Sequence, residues 1–255
     1  MPGSVAAPLS PPAAAPAVDR LVETNQRFFD GLWSGARLIE APRFNTWPLL
    51  QALADKAPRR LEVGPGLRLR LPIAGTQFID LSRAAVHALH RRGVSVTRGC
   101  ITALPFADAA FDLVCALDIV EHVADDERAL AELTRVTAPS GTIVLSLPLH
   151  PTHWTRFDAY VGHHRRYEPA QLLATLARHG LRVERSAGFG MQPRSSRWLD
   201  FGMYFLERQR ARAMWWYNRV IMPIALRTQG TLALHDGMVP AADVEEVLLV
   251  CRSLR

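Results

Sequence analysis

An α/β fold, a mostly parallel sheet with helices on both faces, is what this 255-residue sequence predicts. Three observations predict it. Short apolar runs of strand character recur at 60–64, 77–81, 94–98, 111–117, 141–147, 181–188 and 244–251, which makes a seven-stranded sheet. Segments of helical period lie between several of them, at 82–92, 126–137 and 169–179. The first strand runs into a bend carrying Gly64 and Gly66, and the second runs to an acid, Asp80.

Each element has its own reason. Residues 1–17 are rich in Pro and Ala and carry no basic residue before Arg20, so they read as a disordered tail rather than a signal peptide. A helix over 19–33 is expected, with Asp19 as its cap and Leu21, Phe28, Phe29 and Leu32 on one face, and a second over 46–55. These form an N-terminal helical segment, 18–57, ahead of a core at 58–190. In the core, the 126–137 helix places Leu130, Leu133 and Val136 on one side, and Pro139 with Gly141 ends it. The 169–179 helix opens on Pro169 and stops at Gly180. The stretch 191–243 is too long for a plain loop and should carry helices of its own, before a final strand in 244–255.

Composition narrows the functional classes. Hydrophobic residues make up 49% of the chain, yet no run of 18 apolar residues occurs, so no membrane span is expected. Cys100, Cys115 and Cys251 lack metal-ligand spacing and read as reduced thiols of a cytoplasmic protein. The net charge of +6 is nearly all arginine, with Lys56 the only lysine, and the arginines are spread along the chain. A nucleic-acid partner is therefore disfavoured.

The chemistry is concentrated around Arg60–Gly66. Glycines without Cβ atoms let a ligand lie directly on the backbone, and a carboxylate at the next strand's tip can accept from both hydroxyls of a ribose. With the stretches Leu61–Gly66, Phe78–Ser82, Ala103–Val114, Asp118–Val123 and Pro139–Ser146, in that order, the chain resembles the class I S-adenosylmethionine-dependent methyltransferases. The likeness is greatest to the small-molecule branch typified by ubiquinone-biosynthesis-type O-methyltransferases.

The resemblance implies a Rossmann-like sheet whose last strand is antiparallel, a helical lid at 191–243, and S-adenosyl-L-methionine as cofactor. It assigns cofactor binding to Glu62, Gly64, Gly66, Asp80, Leu81, Ile101, Leu117, Asp118 and His122, with Arg43 near the cofactor carboxylate. In that assignment Glu62 accepts a hydrogen bond or pairs with the ammonium through water, Asp80 holds the ribose, Ile101 lies beside the adenine, and Leu117 with Asp118 lines the reactive end. Glu121 and His122 equally suit a capped helix start. The chain departs from the family pattern at Arg68, where a third glycine is usual, and at Cys100, where an acid often stands. Pro72 forbids a normal helix between the first two strands.

A small-molecule acceptor, anionic or lipophilic, is implied. Loops at the carboxyl ends of parallel strands face the ligand crevice, which makes His150 and His153 candidate bases and His163 and Tyr167 candidate substrate contacts. Arg165 and Arg166 suit either an anionic substrate or a loop tie. The histidines at 150, 153, 163 and 164 lack a carboxylate motif, so no metal is expected. Trp215, Trp216 and Tyr217 suit a substrate cover, a lipid-docking face beside Arg210, Arg212 and Arg219, or the insertion's own core. O-methylation is the leading reading. A fold member that binds cofactor weakly or not at all, and an RNA methyltransferase, are the alternatives.

Overall fold

The computed structural model describes residues 29–33, 36–190, 202–205 and 208–255. The expected tail at 1–17, most of the 19–33 helix and residues 191–201 lie outside the described residues. Residues 29–33 are helical.

One sheet organises the described chain, in the order β3-β2-β1-β4-β5-β8-β6-β7. Its strands are β1 (Arg60–Val63), β2 (Thr76–Asp80), β3 (Val96–Arg98), β4 (Phe111–Leu117), β5 (Thr137–Pro148), β6 (Leu181–Gly188), β7 (His235–Asp236) and β8 (Glu246–Ser253). β1 to β5 are parallel, and β8 is antiparallel to both β5 and β6. The expectation of seven strands is corrected to eight. The extra one, β7, is a two-residue edge paired with Arg185 and Ser186 of β6. So short a pairing leaves no periodic trace in sequence.

Alternation along the central strands sets the layers. In β4, Val114 and Ala116 face one core with Leu130, Leu133 and Leu176, while Leu113 and Cys115 face another with Leu50 and Ala54. The first core is roofed by the helices Asp126–Val136 and Pro169–Arg178, the second by Trp47–Ala54. Caps fix where the helices begin. Ser82 Oγ accepts from the Ala85 amide at 3.2 Å, and Asp125 from the Arg128 amide at 2.9 Å.

β1 neighbours β2 on one side and β4 on the other, so the chain order reverses there. Ligands of such sheets bind outside the carboxyl ends of the strands at that point. The bend at Gly64 and Gly66, Asp80 and Asp118 all follow those ends.

Candidate functional site

The bend after β1 is a backbone cradle. Gly64 and Gly66 have φ of 68° and 55°, a region that L side chains rarely adopt. The Gly66 amide donates to Asp80 Oδ2 at 2.8 Å, and the Ser82 amide to Asp80 Oδ1 at 2.7 Å. Burial raises the Asp80 pKa to about 6, against the pull of those two amides. A carboxylate has about four lone-pair sites, so two remain for a diol.

Glu62 is committed to backbone amides. Its carboxylate accepts from the Arg70 amide at 2.9 and 3.1 Å and from the Leu71 amide at 2.9 Å. Through these bonds Glu62 pins the segment that follows the bend. Burial pushes its pKa up to about 7. The pinned segment is extended, without the usual helix. Leu67, Leu69 and Leu71 alternate into the core, while Arg68 and Arg70 alternate outward. The Arg70 guanidinium lies 3.7 Å from the Phe44 ring centroid, and Arg68 lies between the rings of Trp33 and Tyr217 at 5.3 and 5.2 Å.

The helical residues 29–33 cover the cradle. Asp30 Oδ1 accepts from Ser82 Oγ at 2.5 Å, and Phe29 packs edge-on against the His122 ring. A Cβ at Gly66 would run into the Trp33 ring, and one at Gly64 into Ile119. The glycines are therefore matched to close neighbours, and those neighbours are side chains of this protein. The cradle fits a ribose-bearing ligand in residue type, with the Trp33 ring against Gly66 and the Ile119 side chain against Gly64.

Beyond β4 the site turns acidic. Asp118, with φ of 56°, receives a hydrogen bond from Ser146 Oγ and donates its own amide to that oxygen at 2.8 Å. Burial, and then the neighbouring Asp118 carboxylate, push the pKa of Glu246, at the start of β8, well above the usual carboxylate range. The next turn, Val120–His122, brings Glu121 and His122 toward His163. Burial drops the His122 pKa to about 3 and raises that of Glu121 well above the carboxylate range. Leu117 and Leu81 are partly buried, and Ile101 is buried in the core.

Several predicted residues are placed elsewhere. His150 Nε2 is 2.7 Å from the Ala241 carbonyl, and His153 Nδ1 is 3.0 Å from Glu245 Oε1. Both proposed bases therefore anchor the approach to β8. Tyr167, read as a substrate contact, is buried and donates to Asp126 at 3.0 Å. Arg165 ties to Asp126 and the Ala124 carbonyl, and Arg166 to Asp158 at 3.0 and 3.1 Å, so both hold the loop. Arg43 is exposed, while Arg70 lies beside Glu62 and within the field of Asp118. Trp215 and Trp216 are 51% and 50% exposed, which removes the reading of them as an inner core. Trp33, Arg70 and Glu246 were missed. Only Arg70 left a signal, as a charge inside the alternation Leu67-Arg68-Leu69-Arg70-Leu71.

Residues 61–145 match the family model described as a methyltransferase domain. This span runs from β1 through most of β5 and contains the bend, Asp80 and Asp118. Over that third of the chain the sequence is similar to a methyltransferase domain. An uncharacterized methyltransferase of Mycolicibacterium gilvum is 36% identical over 123 residues, 41% of this chain and 48% of that protein. A demethylmenaquinone methyltransferase of Renibacterium salmoninarum is 38% identical over 91 residues, 36% of this chain and 38% of the relative. The chain thus spans less than half the length of either of these relatives. A demethylmenaquinone methyltransferase of Mycobacterium marinum is 29% identical over 201 residues, 71% of this chain and 79% of that one. The chain shares its fold with a SAM-dependent methyltransferase from Thermotoga maritima. The TM-score is 0.53 at 17% identity, covering 92% of this chain and 97% of the other.

Proposed function

We propose that this protein transfers a methyl group from S-adenosylmethionine to an oxygen of a small, lipophilic acceptor. The observation that carries the reading is the Gly66 amide donating to Asp80 at 2.8 Å, which sets a bare backbone bend against a carboxylate at the neighbouring strand's tip. Bound there, the cofactor supplies an electrophilic methyl on sulfur. Asp80 would offer its remaining lone pairs to the ribose hydroxyls, and Gly64 and Gly66 would admit the ligand to the backbone. Ile101 would line the adenine side, with Leu117 and Asp118 at the reactive end.

Methyl transfer is an in-line displacement, so alignment and exclusion of water supply most of what the protein must add. A hydroxyl acceptor also loses a proton. Asp118, fixed by Ser146 and Glu246, is better placed to take it than His150 or His153, which are spent on Ala241 and Glu245. Support for a lipophilic acceptor comes from relatives whose names specify demethylmenaquinone.

Calorimetry with S-adenosylhomocysteine tests the cofactor. Binding in the wild type, lost in Asp80→Ala and Gly64→Val, is expected; no heat at millimolar ligand removes the reading. With a hydroxylated quinol acceptor, Asp118→Asn should lower kcat by about 10²-fold while leaving S-adenosylhomocysteine binding intact.

A further inference from the structure

We propose that Glu121, His122 and His163 form a binding site for one first-row divalent metal ion. Each offers a ligand atom, and the three atoms lie within 4.8 Å of one another. The residues come from two segments separated in sequence, the turn after β4 and the loop after the Arg156–Val161 helix. The His164 amide donates to the Glu121 carbonyl at 2.7 Å and joins these segments at the cluster.

Glu121 is the decisive member. It is 2% exposed, and its Oε2 is buried with no hydrogen-bond partner. A carboxyl oxygen withdrawn from water in this way is costly unless something compensates it. His163 Nε2 stands 3.9 Å from Glu121 Oε1, too far for a hydrogen bond and about 0.5 Å beyond the spacing of two ligands on one tetrahedral ion.

The outer partners match those of a metal-binding histidine. His163 Nδ1 is 2.9 Å from Asp158 Oδ1, and Asp158 is fully buried and held by Thr155 and Arg166. With its proton on Nδ1, facing Asp158, His163 turns the Nε2 lone pair toward Glu121. A ligating imidazole is usually oriented by such a carboxylate. His122 is likewise bonded to the backbone of Gly162, and the two rings meet edge-on with centroids 4.5 Å apart.

Two imidazole nitrogens and one carboxylate oxygen favour zinc, with cobalt as its spectroscopic stand-in, over magnesium, calcium or manganese, which prefer oxygen ligands. Three protein ligands leave at least one coordination position open to water or a ligand oxygen. The site stands on its own geometry and does not depend on methyl transfer.

The test uses the full chain stripped with EDTA, dialysed, and titrated with CoCl₂ by visible absorption and with ZnCl₂ by calorimetry. One ion per chain is expected, with MgCl₂ failing to displace it at equal concentration. Glu121→Gln, which preserves shape, and His163→Ala should each weaken binding at least 100-fold. Asp158→Asn should weaken it by roughly 10- to 100-fold. His90→Ala, on the exposed end of another helix, should bind as the wild type does. If His163→Ala fails to fold, Glu121→Gln still decides. No cobalt spectrum at 1 mM CoCl₂ (about the weakest affinity a site would show), or Glu121→Gln binding like the wild type, overturns the site. S-adenosylhomocysteine binding, measured on the same protein, separates this outcome from failure of the cofactor reading.

Discussion

Gly66 donates its amide to Asp80 while the Trp33 ring lies where its Cβ would be. A ligand on the cradle is therefore expected to compete with that ring. Trp33→Ala should lower stability by about 3 kcal/mol through the lost burial. It should also tighten S-adenosylhomocysteine binding by about tenfold, because the self-occluded state no longer has to be displaced. Calorimetry on the folded variant checks this, and weaker binding would make Trp33 a wall of the bound pocket instead. Glu62 sets a pH dependence. Its folded pKa of about 7 lies above the ordinary 4.5, so the folded state holds more protons between these values. Stability then falls as pH rises from 4.5 to 7, by up to about 3 kcal/mol from this group. Urea melts at pH 5 and pH 7.5 should show this slope in the wild type and a smaller one in Glu62→Gln. An unchanged slope would mean that the carboxyl titrates normally.

At the scale of elements, the loop from Gly162 to Tyr167 hangs on two acids, Asp126 and Asp158. Asp158 receives Arg166, His163 and Thr155, and Arg166 has a side chain only 1% exposed. Asp158→Ala removes the main carboxylate partner of a buried guanidinium, leaving it Glu245 at 3.3 Å, and a cost of about 3 kcal/mol is expected. For a chain of this size that is a fall of roughly 6–12 °C in Tm, read by differential scanning calorimetry. The helix Arg210–Trp216 runs through a π-helical turn into Met222–Arg227, with Ala213 and Met222 buried and Trp215, Trp216, Ile221 and Ile224 exposed. Arg212 and Arg219 share this element, so the expectation of a lipid-docking face is testable on it. Tryptophan emission should shift to the blue with phosphatidylglycerol-containing vesicles and not with phosphatidylcholine alone. The double change Trp215→Ser, Trp216→Ser should remove the shift. Among the described residues no helix is long and apolar enough to cross a membrane.

For the whole molecule, ligand binding and stability are linked by mass action. S-adenosylhomocysteine at 100 times its Kd should stabilise the fold by about 2.7 kcal/mol, or roughly 5–10 °C. The sheet that would carry this coupling was legible because its signals are local. Apolar alternation marked the strands, Pro169 and Gly180 bracketed one helix, and Gly64 and Gly66 marked the bend. The contents of the site were less so. His150 and His153 looked like bases because they follow β5, but only the fold brings Ala241 and Glu245 against them. Glu121, His122 and His163 showed no metal spacing, since their proximity is made by two loops meeting. Trp33 lies far from Gly66 in sequence and carries no mark of its position over it. By itself the sequence determined the elements, their order and the identity of the bend, because backbone periodicity and glycine conformation act between near neighbours. The tertiary structure alone decided which side chains fill the cradle, which acid pins the segment after it and which histidines face each other. These are contacts between segments distant in sequence, fixed only when the sheet and its cover pack together.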